Sequence, residues 1–313
     1  MEAMIGRRAM LGRVIAGAIL AGGILAGTAA SAGPDGGFGA PVFLANLQEK
    51  RINESSGLVV SRRTPGVFWT HNDSGDGPNL FATDRKGRAL ARFTVTGATN
   101  VDWEDIAAGA ATGDQATLYV GDIGDNNSNR NDTAIYRVRE PRVDTTKTGQ
   151  TGATAMAEKL PFRYADGHHD AETLLVDPKG EELFVITKVD SGLSAVYKFP
   201  MPLTPGRTVI LQKVATLKFT NPLGFRGRAV GKLATGGAIS SDRRHVAIRT
   251  YTDGFEWNIA PDQAIDDALR TEPKHIDLPW LGQFESLCYS LDGKYLYTTC
   301  EGSPCPLWEI PRK

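Results

Sequence analysis

The chain has 313 residues, of which 41% are hydrophobic and 23% are charged, the proportions of an ordinary globular protein. Lys and Arg total 35 against 36 Asp and Glu, a net charge of −1. This balance argues against a nucleic-acid partner, because sequence-independent binding to nucleic acid needs a basic face. Three cysteines are too few for a disulfide framework, although they allow one bridge, between Cys300 and Cys305.

Residues 1–32 have the pattern of a secretory signal peptide. Arginines precede an apolar run from Val14 to Ala26, and Ala30-Ser31-Ala32 forms a cleavage site of the A-x-A type. The alternative is a membrane anchor, but the stretch from Val14 to Ala30 is near the lower length limit for a span and is rich in Gly and Ala, which favours cleavage. Arg7-Arg8 resembles a twin-arginine export signal. We therefore expect an exported protein, periplasmic or extracellular, with one mature domain over residues 33–313.

A short pattern recurs five times along the mature chain: polar or acidic residues two positions apart, then alternating apolar residues. The copies begin at Glu54, Asp102, Asp170, Thr235 and Gln283. Their third positions are Ser56, Glu104, Glu172, Gly237 and Glu285. Each copy is followed by a turn and two further β-forming stretches, and a fourth stretch is readable in the first three units. Each unit is therefore predicted to be a four-stranded antiparallel meander.

Four-stranded units that repeat at intervals of roughly 50 residues indicate a β-propeller. The five copies predict an all-β, five-bladed β-propeller, and two long intervals leave a six-bladed ring open. A two-sheet sandwich is the rival fold, but it does not account for five aligned copies. Because the chain after Glu285 is long enough for only three strands, we expect residues 40–47 to supply the fourth and to close the ring.

Alternating strands bring two loops of every blade to the same end of a propeller. We expect ten polar residues of these loops to converge near the mouth of the central channel. They are Glu54, Asn72, Asp73, Asp102, Glu104, Asp122, Asp125, Asn126, Glu172 and Glu285. Converging carboxylates repel one another unless a cation neutralises them, and Ca²⁺ takes six to eight oxygen ligands of this kind. The sequence therefore predicts a divalent cation site, with Ca²⁺ as the first candidate.

The same acidic residues have an alternative role as scaffold. They could cap backbone N–H groups or pair with basic residues in the same zone, such as Lys188, Arg226, Arg228 and Arg249. The asparagines and aspartates could equally form Asx turns. Zn²⁺ is disfavoured, because it prefers His and Cys ligands.

The tripeptide His168-His169-Asp170 comes directly before the third copy of the inner strand, at the same mouth. One of these side chains could act as a general base that activates water beside a metal-bound ester. The alternative is an exposed histidine pair without a catalytic role. The sequence contains no G-x-S-x-G nucleophile elbow, phosphate loop or dinucleotide fingerprint, which leaves a water-based hydrolysis as the candidate chemistry.

The segments Ser56-Gly57-Leu58, Asp102–Ala107 and Leu118–Asp125 resemble those of secreted bacterial propellers. The similar families are the esterase-like phytase propellers and the calcium-dependent lactonase or phosphoesterase propellers. The resemblance implies acidic residues near the axis that hold Ca²⁺ and polarise a phosphate or an ester. By motif match, the implied ligands are Glu54, Glu104 and Asp122.

Two functions follow as expectations. The first is a divalent-metal-dependent hydrolase of phosphoesters, esters or lactones. The second is a non-enzymatic propeller that binds a ligand, a glycan or a protein, since propellers host both. In either case we expect a monomer with a small molecule or glycan at the channel mouth, no nucleic-acid partner, and no membrane span after signal cleavage.

Overall fold

The computed structural model describes residues 37–110, 116–220, 229–280 and 282–313. The predicted signal peptide, Arg226 and Arg228 lie outside these residues. In the described part of the chain, helix is limited to a 3-10 turn, Ala229–Lys232, and one short α-helix, α1 (Ile265–Ala268). No described helix is long and apolar enough to cross a membrane. The fold is therefore all-β, as the repeated pattern predicts.

The first strand, β1 (Val42–Asn46), belongs to the last sheet, and the first meander begins after it. The strands of this meander are β2 (Ser55–Val60), β3 (Val67–Asn72), β4 (Asn79–Asp84) and β5 (Ala89–Thr94). They pair in sequence order as antiparallel neighbours. Asp-, Gly- and Pro-rich turns separate them, because these residues accept the backbone angles that a tight reversal requires.

The second meander consists of β6 (Trp103–Ala108), β7 (Thr117–Asp122), β8 (Ala134–Arg139) and β10 (Glu158–Tyr164). The segment between β8 and β10 contains β9 (Gln150–Ala153), which pairs in parallel with β5 of the first meander. The insertion within the second unit thus covers the outer edge of the neighbouring sheet, an edge that would otherwise expose unpaired backbone groups.

The third meander is formed by β11 (Ala171–Val176), β12 (Leu183–Thr187), β13 (Leu193–Lys198) and β14 (Val209–Lys218). Its outer strand β14 also pairs in parallel with β10. The second and third meanders are therefore joined at their outer strands into one eight-stranded sheet.

The fourth meander contains β15 (Ala234–Ile239), β16 (His245–Thr250), β17 (Asp253–Asn258) and β18 (Lys274–Asp277). The fifth contains β19 (Cys288–Tyr289), β20 (Tyr295–Thr299) and β21 (Pro306–Pro311). Strand β1 pairs antiparallel with β21 and completes this sheet. The expectation that the N-terminal segment supplies the missing strand is confirmed.

The first strands of the five meanders lie side by side around one axis. Strand β2 contacts β6, β6 contacts β11, β11 contacts β15, β15 contacts β19, and β19 contacts β2. At Gly57 in β2, an added Cβ would lie 2.7 Å from the backbone nitrogen of Ile106 in β6. Only glycine allows the two backbones to approach so closely. The arrangement of the sheets is propeller-like.

Buried hydrophobic clusters fill the space between neighbouring meanders. Trp69 and Leu80 of the first meander pack with Ile106 and Leu118 of the second. Comparable clusters lie between each of the other neighbouring pairs, including the fifth and first meanders. Each fully buried large apolar side chain contributes about 1.5–3 kcal/mol relative to its exposed state. The aromatic residues of the repeated strands thus form the core between sheets.

A β-bulge occurs at the same place in the first four inner strands. The pairing register shifts around Ser56, Glu104, Glu172 and Thr235. The sequence alignment is therefore wrong by two residues in the fourth copy, where Thr235 rather than Gly237 is equivalent to Glu104. The error arises because Gly237 and Ile239 fit the alternating pattern as well as Thr235 and Gly237 do. Bulges often re-aim a side chain near a functional site.

The three cysteines are free and buried. The predicted bridge between Cys300 and Cys305 is absent from the structure, although the two residues lie at the two ends of one tight loop. Cys288 pairs across the sheet with Tyr297, as expected for a buried thiol in the middle of a strand.

Candidate functional site: an acidic cluster at one end of the ring

Seven carboxyl side chains gather at the end of the ring where the inner strands begin. We call this cluster the acidic mouth. Its members are Asp73, Asp102, Glu104, Asp170, Glu172, Glu285 and Glu301. They come from four of the five meanders, and each either shifts the pKa of another member through its charge or has its own pKa shifted by one. The opposite end of the ring is mainly apolar and is lined by residues such as Leu58, Ile106 and Ile239.

Three members of the acidic mouth are close enough to share one cation. One carboxylate oxygen from each of Asp73, Asp102 and Glu104 lies within 4.8 Å of the others. Two oxygens on opposite sides of a Ca²⁺ ion are about 4.6–5.2 Å apart, since each lies about 2.3–2.6 Å from the ion. Glu104 is buried, whereas Asp73 and Asp102 are partly exposed. The donor set fits a hard divalent cation that is reached from the solvent.

A glycine-containing loop lies directly against these carboxylates. A Cβ at Gly124 would overlap Oε1 of Glu104 and lie 2.5 Å from Oδ2 of Asp102, so any larger residue there would displace both carboxylates. Arg130 fixes the loop: its guanidinium donates to the carbonyl of Gly124 at 2.6 Å and to Oδ1 of Asp122 at 2.7 Å. Asp122 in turn accepts the backbone N–H of Asp102 at 3.1 Å.

The acidic mouth raises the pKa of its own carboxyl groups. Burial is the largest cause, and repulsion from Asp73 follows for Asp102, whose pKa rises to about 7. The pKa of Glu104 is raised well above its usual range by burial and then by repulsion from Glu172. The same two causes raise the pKa of Glu285, where Glu301 is the repelling neighbour. In the metal-free protein, neighbouring carboxylates therefore resist simultaneous ionisation.

In the other half of the acidic mouth, Lys188 partly neutralises the negative charge and Tyr251 donates a hydrogen bond. The ammonium group of Lys188 forms an ion pair with Glu172. The hydroxyl of Tyr251 donates to Oε1 of Glu285 at 2.9 Å. The second oxygen of Glu172, Oε2, is buried without a hydrogen-bond partner. A buried acceptor without a donor is costly, so this half of the site retains an unused ligand atom.

The structure assigns several of the predicted metal ligands to loop scaffolding instead. Both parts of the Asn72 amide are used, since Oδ1 accepts the N–H of Glu54 at 3.2 Å and Nδ2 donates to the carbonyl of Arg51 at 2.6 Å. Asp125 accepts the backbone N–H groups of Asn129 and Arg130, each at 2.9 Å. In both residues the side-chain oxygens cap backbone N–H groups, as the scaffold alternative predicts. These hydrogen bonds hold the loops around the acidic mouth in place.

Three further predicted ligands lie around the acidic mouth rather than within the trio. Glu54 is half-buried, and its pKa is raised by burial and then by Asp73 and Asp76. Asp122 is held by Arg130, and Asn126 is exposed. Glu172 and Glu285 belong to the mouth but are bound by Lys188 and Tyr251.

The two histidines of the proposed catalytic tripeptide point to other partners. Nδ1 of His168 donates to the carbonyl of Arg130 at 2.7 Å. Nε2 of His169 lies 3.0 Å from Oδ1 of Asp166 and 2.9 Å from the hydroxyl of Tyr197. Neither imidazole contacts a carboxylate of the acidic mouth among the contacts found in the described residues. Asp170, in contrast, is a member of the mouth and accepts the backbone N–H of Asp125 at 2.8 Å.

Tyr251 is the member of the site that the sequence did not reveal. It lies in the loop after β16 and directly follows that strand, as Asp73 directly follows β3. The signal was available in the repeat, because every loop between a second and a third strand opens at the mouth. A search for acidic residues and amides alone overlooks a phenol there.

The raised pKa values predict how the stability of the metal-free protein depends on pH. Folded carboxyl groups keep protons that the unfolded chain has released, so their stabilisation is present at acidic pH and is lost as the pH rises through the folded pKa. For Asp102 alone, with a pKa of about 7, the loss between about pH 6.5 and 8 is about 0.8 kcal/mol, or about half of that after solvent screening is discounted. Relative to a variant without this carboxyl group, we expect the Tm in EDTA to fall by about 1–2 °C across this window.

A matched variant isolates this effect. Buried His71, whose pKa is lowered to about 4, adds stability as the pH rises, and about 0.4 kcal/mol of that gain falls above pH 6.5. This gain is common to the wild type and the variant, so it cancels in their comparison. By differential scanning calorimetry we expect the Tm of the wild type to fall relative to that of Asp102→Asn across the window, whereas Asp190→Asn, at an exposed position, should follow the wild type. Equal slopes for Asp102→Asn and the wild type would contradict the prediction.

Comparisons with known proteins add little to this geometry. No protein-family model matches the chain, and no curated protein matches it. Solved structures do match, among them a gluconolactonase from Xanthomonas campestris. The match covers 79% of this chain and 69% of that chain, with 11% sequence identity and a TM-score of 0.42. The matched protein is a lactonase and not a phytase, but at this TM-score the likeness bears neither on blade number nor on activity.

Proposed function

We propose that the chain is an exported, five-bladed β-propeller whose acidic mouth binds one divalent cation, with Ca²⁺ as the first candidate, and hydrolyses an ester, lactone or phosphoester there. Five inner strands in a closed ring and clusters between each pair of neighbouring meanders support the blade number. The apolar run and cleavage pattern in residues 1–32 support export.

The observation that supports cation binding is the trio of Asp73, Asp102 and Glu104, whose oxygens lie within 4.8 Å of one another. Seven carboxyl groups converge on the mouth. Among the described residues, Lys188 forms an ion pair with one of them, Glu172. Arg130 is engaged by Asp122. A divalent cation would relieve the repulsion and use oxygens that the fold has already brought together.

Each part of the acidic mouth has a distinct role in this proposal. Asp73, Asp102 and Glu104 would hold the cation, which when bound supplies Lewis acidity toward a carbonyl or phosphoryl oxygen and toward water. Asp170 lies beside them, is partly exposed, and has a pKa raised by burial. We assign it as the general base that takes a proton from water. Gly124 and its loop form one wall against the carboxylates.

A non-enzymatic binding propeller is the second candidate. The specific observation in its favour is that His168 and His169 are engaged by Arg130, Asp166 and Tyr197, so the imidazole base expected from sequence is not at the mouth. In that case the cation would orient a hydroxyl-rich ligand, and the ligand would not be hydrolysed.

The two candidates are separated by one assay series. The mature chain, residues 33–313, is stripped with EDTA and tested on a γ- or δ-lactone, a p-nitrophenyl ester and a p-nitrophenyl phosphate. Ca²⁺, Mg²⁺, Mn²⁺ or Zn²⁺ is then added back. We expect hydrolysis of at least one substrate to appear only with a divalent cation. Cation binding by calorimetry without any turnover supports the binding propeller, and no cation binding at all contradicts both forms of the proposal.

A further inference from the structure

Lys188 occupies an unusual position for a basic side chain. It follows strand β12, and its backbone N–H donates to the carbonyl of Asp170 at 2.9 Å. This bond ties its backbone to the start of the inner strand β11. Its side chain is only 15% exposed, and its ammonium lies 5.4 Å from the centre of the Tyr251 ring. The lysine thus extends into the acidic mouth.

The carboxylates around this ammonium include members of the cation trio. Glu172 forms the ion pair, and Glu285 and Glu104 are negatively charged neighbours. The charge of Lys188 also acts on Asp73 and Asp170. Glu172 is 3% exposed, and its Oε2 has no hydrogen-bond partner. One ammonium therefore faces more carboxylate oxygens than its three N–H groups satisfy.

We infer that the ammonium group of Lys188 is a built-in counter-ion that competes with external divalent cations for the carboxylates of the acidic mouth. This inference deepens the proposed function and rests on it for the location of the external cation. Lys188 confines that cation to Asp73, Asp102 and Glu104 by holding Glu172. The charge of Lys188 thereby sets the affinity of the mouth for an external divalent cation.

The physical argument is one of charge at short range. A lysine ammonium is a compact point charge on a flexible stem, and inside a poorly solvated cluster its repulsion of a second cation is much stronger than in water. Removing the charge without changing the bulk should leave Glu172 free as a further oxygen ligand. The apparent affinity for a divalent cation then rises.

The test compares Lys188→Met with the wild type, because methionine keeps the length of the apolar stem and lacks the charge. Ca²⁺ binding to the EDTA-treated mature chain is measured by isothermal titration calorimetry at one fixed pH and ionic strength. We expect Lys188→Met to bind Ca²⁺ at least tenfold more tightly, or to bind one additional equivalent. Lys188→Arg, which keeps the charge, should bind like the wild type.

A second variant keeps the test decisive if Lys188→Met folds poorly without metal. The double variant Glu172→Gln with Lys188→Met removes one charge of each sign, so we expect it to fold and to bind Ca²⁺ with wild-type affinity. Unchanged or weaker binding by folded Lys188→Met would overturn the inference. So would a double variant that binds as tightly as Lys188→Met, because Glu172 would then have no part in the effect.

The outcomes also separate this inference from the proposed function. If the wild type binds no cation but Lys188→Met does, the counter-ion role stands and the cation-dependent hydrolase fails. If the wild type binds one cation and Lys188→Met binds no more tightly, the hydrolase proposal stands and the counter-ion role fails. If neither protein binds a cation, both are wrong.

Discussion

Glu104→Gln is expected to remove cation binding and, at the same time, to raise the Tm of the metal-free protein. Glu104 is buried, and its carboxyl is one of the three that lie within 4.8 Å of one another. Its amide analogue keeps one ligand oxygen but lacks the negative charge that strengthens the binding of a divalent cation. We expect divalent affinity to fall by about 100-fold or more and turnover to fall about 1,000-fold if the cation is essential.

The stabilisation of the metal-free variant has a separate cause. Burial and repulsion from Glu172 make ionisation of Glu104 unfavourable, and glutamine removes that cost. The hydroxyl of Ser56, which lies 3.2 Å from Oε2 of Glu104, can still donate to the amide oxygen. We expect the metal-free variant to be more stable than the wild type at pH 7.5, with the Tm higher by about 2–4 °C for each kcal/mol gained. Thermal unfolding in EDTA and in excess Ca²⁺ measures both effects.

Glu140→Gln serves as the matched control. Glu140 is also fully buried, but it accepts the indole N–H of Trp69 at 2.8 Å and the backbone N–H of Arg62 at 3.2 Å. Its replacement should lower stability with and without Ca²⁺ and leave cation binding intact. If Glu104→Gln behaves like Glu140→Gln, the acidic mouth is structural scaffold and the cation proposal is wrong.

Part of the fold and of the candidate site could be predicted from the repeated pattern in the sequence. The repeated pattern identified the inner strands and placed Glu104, Glu172 and Glu285 at one end of the ring. The antiparallel order of four-stranded units is sufficient for this, because every inner strand then begins at the same end of the ring. Strand β1 was also predictable, since the last unit lacked a strand and the chain before Glu54 offered one.

Other features depend on tertiary contacts that no local pattern encodes. The bulge at Thr235 inserts a residue into the fourth inner strand and shifts its register, and the alternating pattern of residues 235–239 does not reveal where it lies. Strand β9 pairs with β5, a partner more than fifty residues away along the chain. The four residues of β9 are Gln, Thr, Gly and Ala. Their combined β-propensity is low, so the sequence does not indicate a strand there.

The functional residues divide in the same way. The sequence indicates which side chains have ligand chemistry but not which of them the loops already use. Asn72 and Asp125 have the right oxygens, yet backbone N–H groups engage them. Lys188 was visible as a possible partner, but its ion pair with Glu172 and its proximity to Tyr251 follow only from the packing of the third and fourth meanders.

Asp170→Asn is expected to lower turnover by about 100- to 10,000-fold, the range for loss of a general base, while cation binding is kept. Asp170 is outside the trio that would hold the cation. Its hydrogen bond from the N–H of Asp125, at 2.8 Å, can be accepted equally by the asparagine oxygen, so the loop should keep its shape. The measurement is kcat across pH on the substrate that the cation-dependent assay identifies, together with Ca²⁺ affinity by calorimetry.

Two further variants distinguish Asp170 from its neighbours. Asp166→Asn removes a nearby exposed carboxylate that contacts Tyr197 and His169, and we expect it to leave turnover within about twofold, as for a surface change away from the reacting atoms. His169→Gln tests the imidazole directly. If His169→Gln abolishes turnover and Asp170→Asn does not, the base is the histidine and the loop must rearrange when substrate binds. If Asp170→Asn also loses Ca²⁺, the carboxylate is a cation ligand, and its effect on turnover follows from the missing ion.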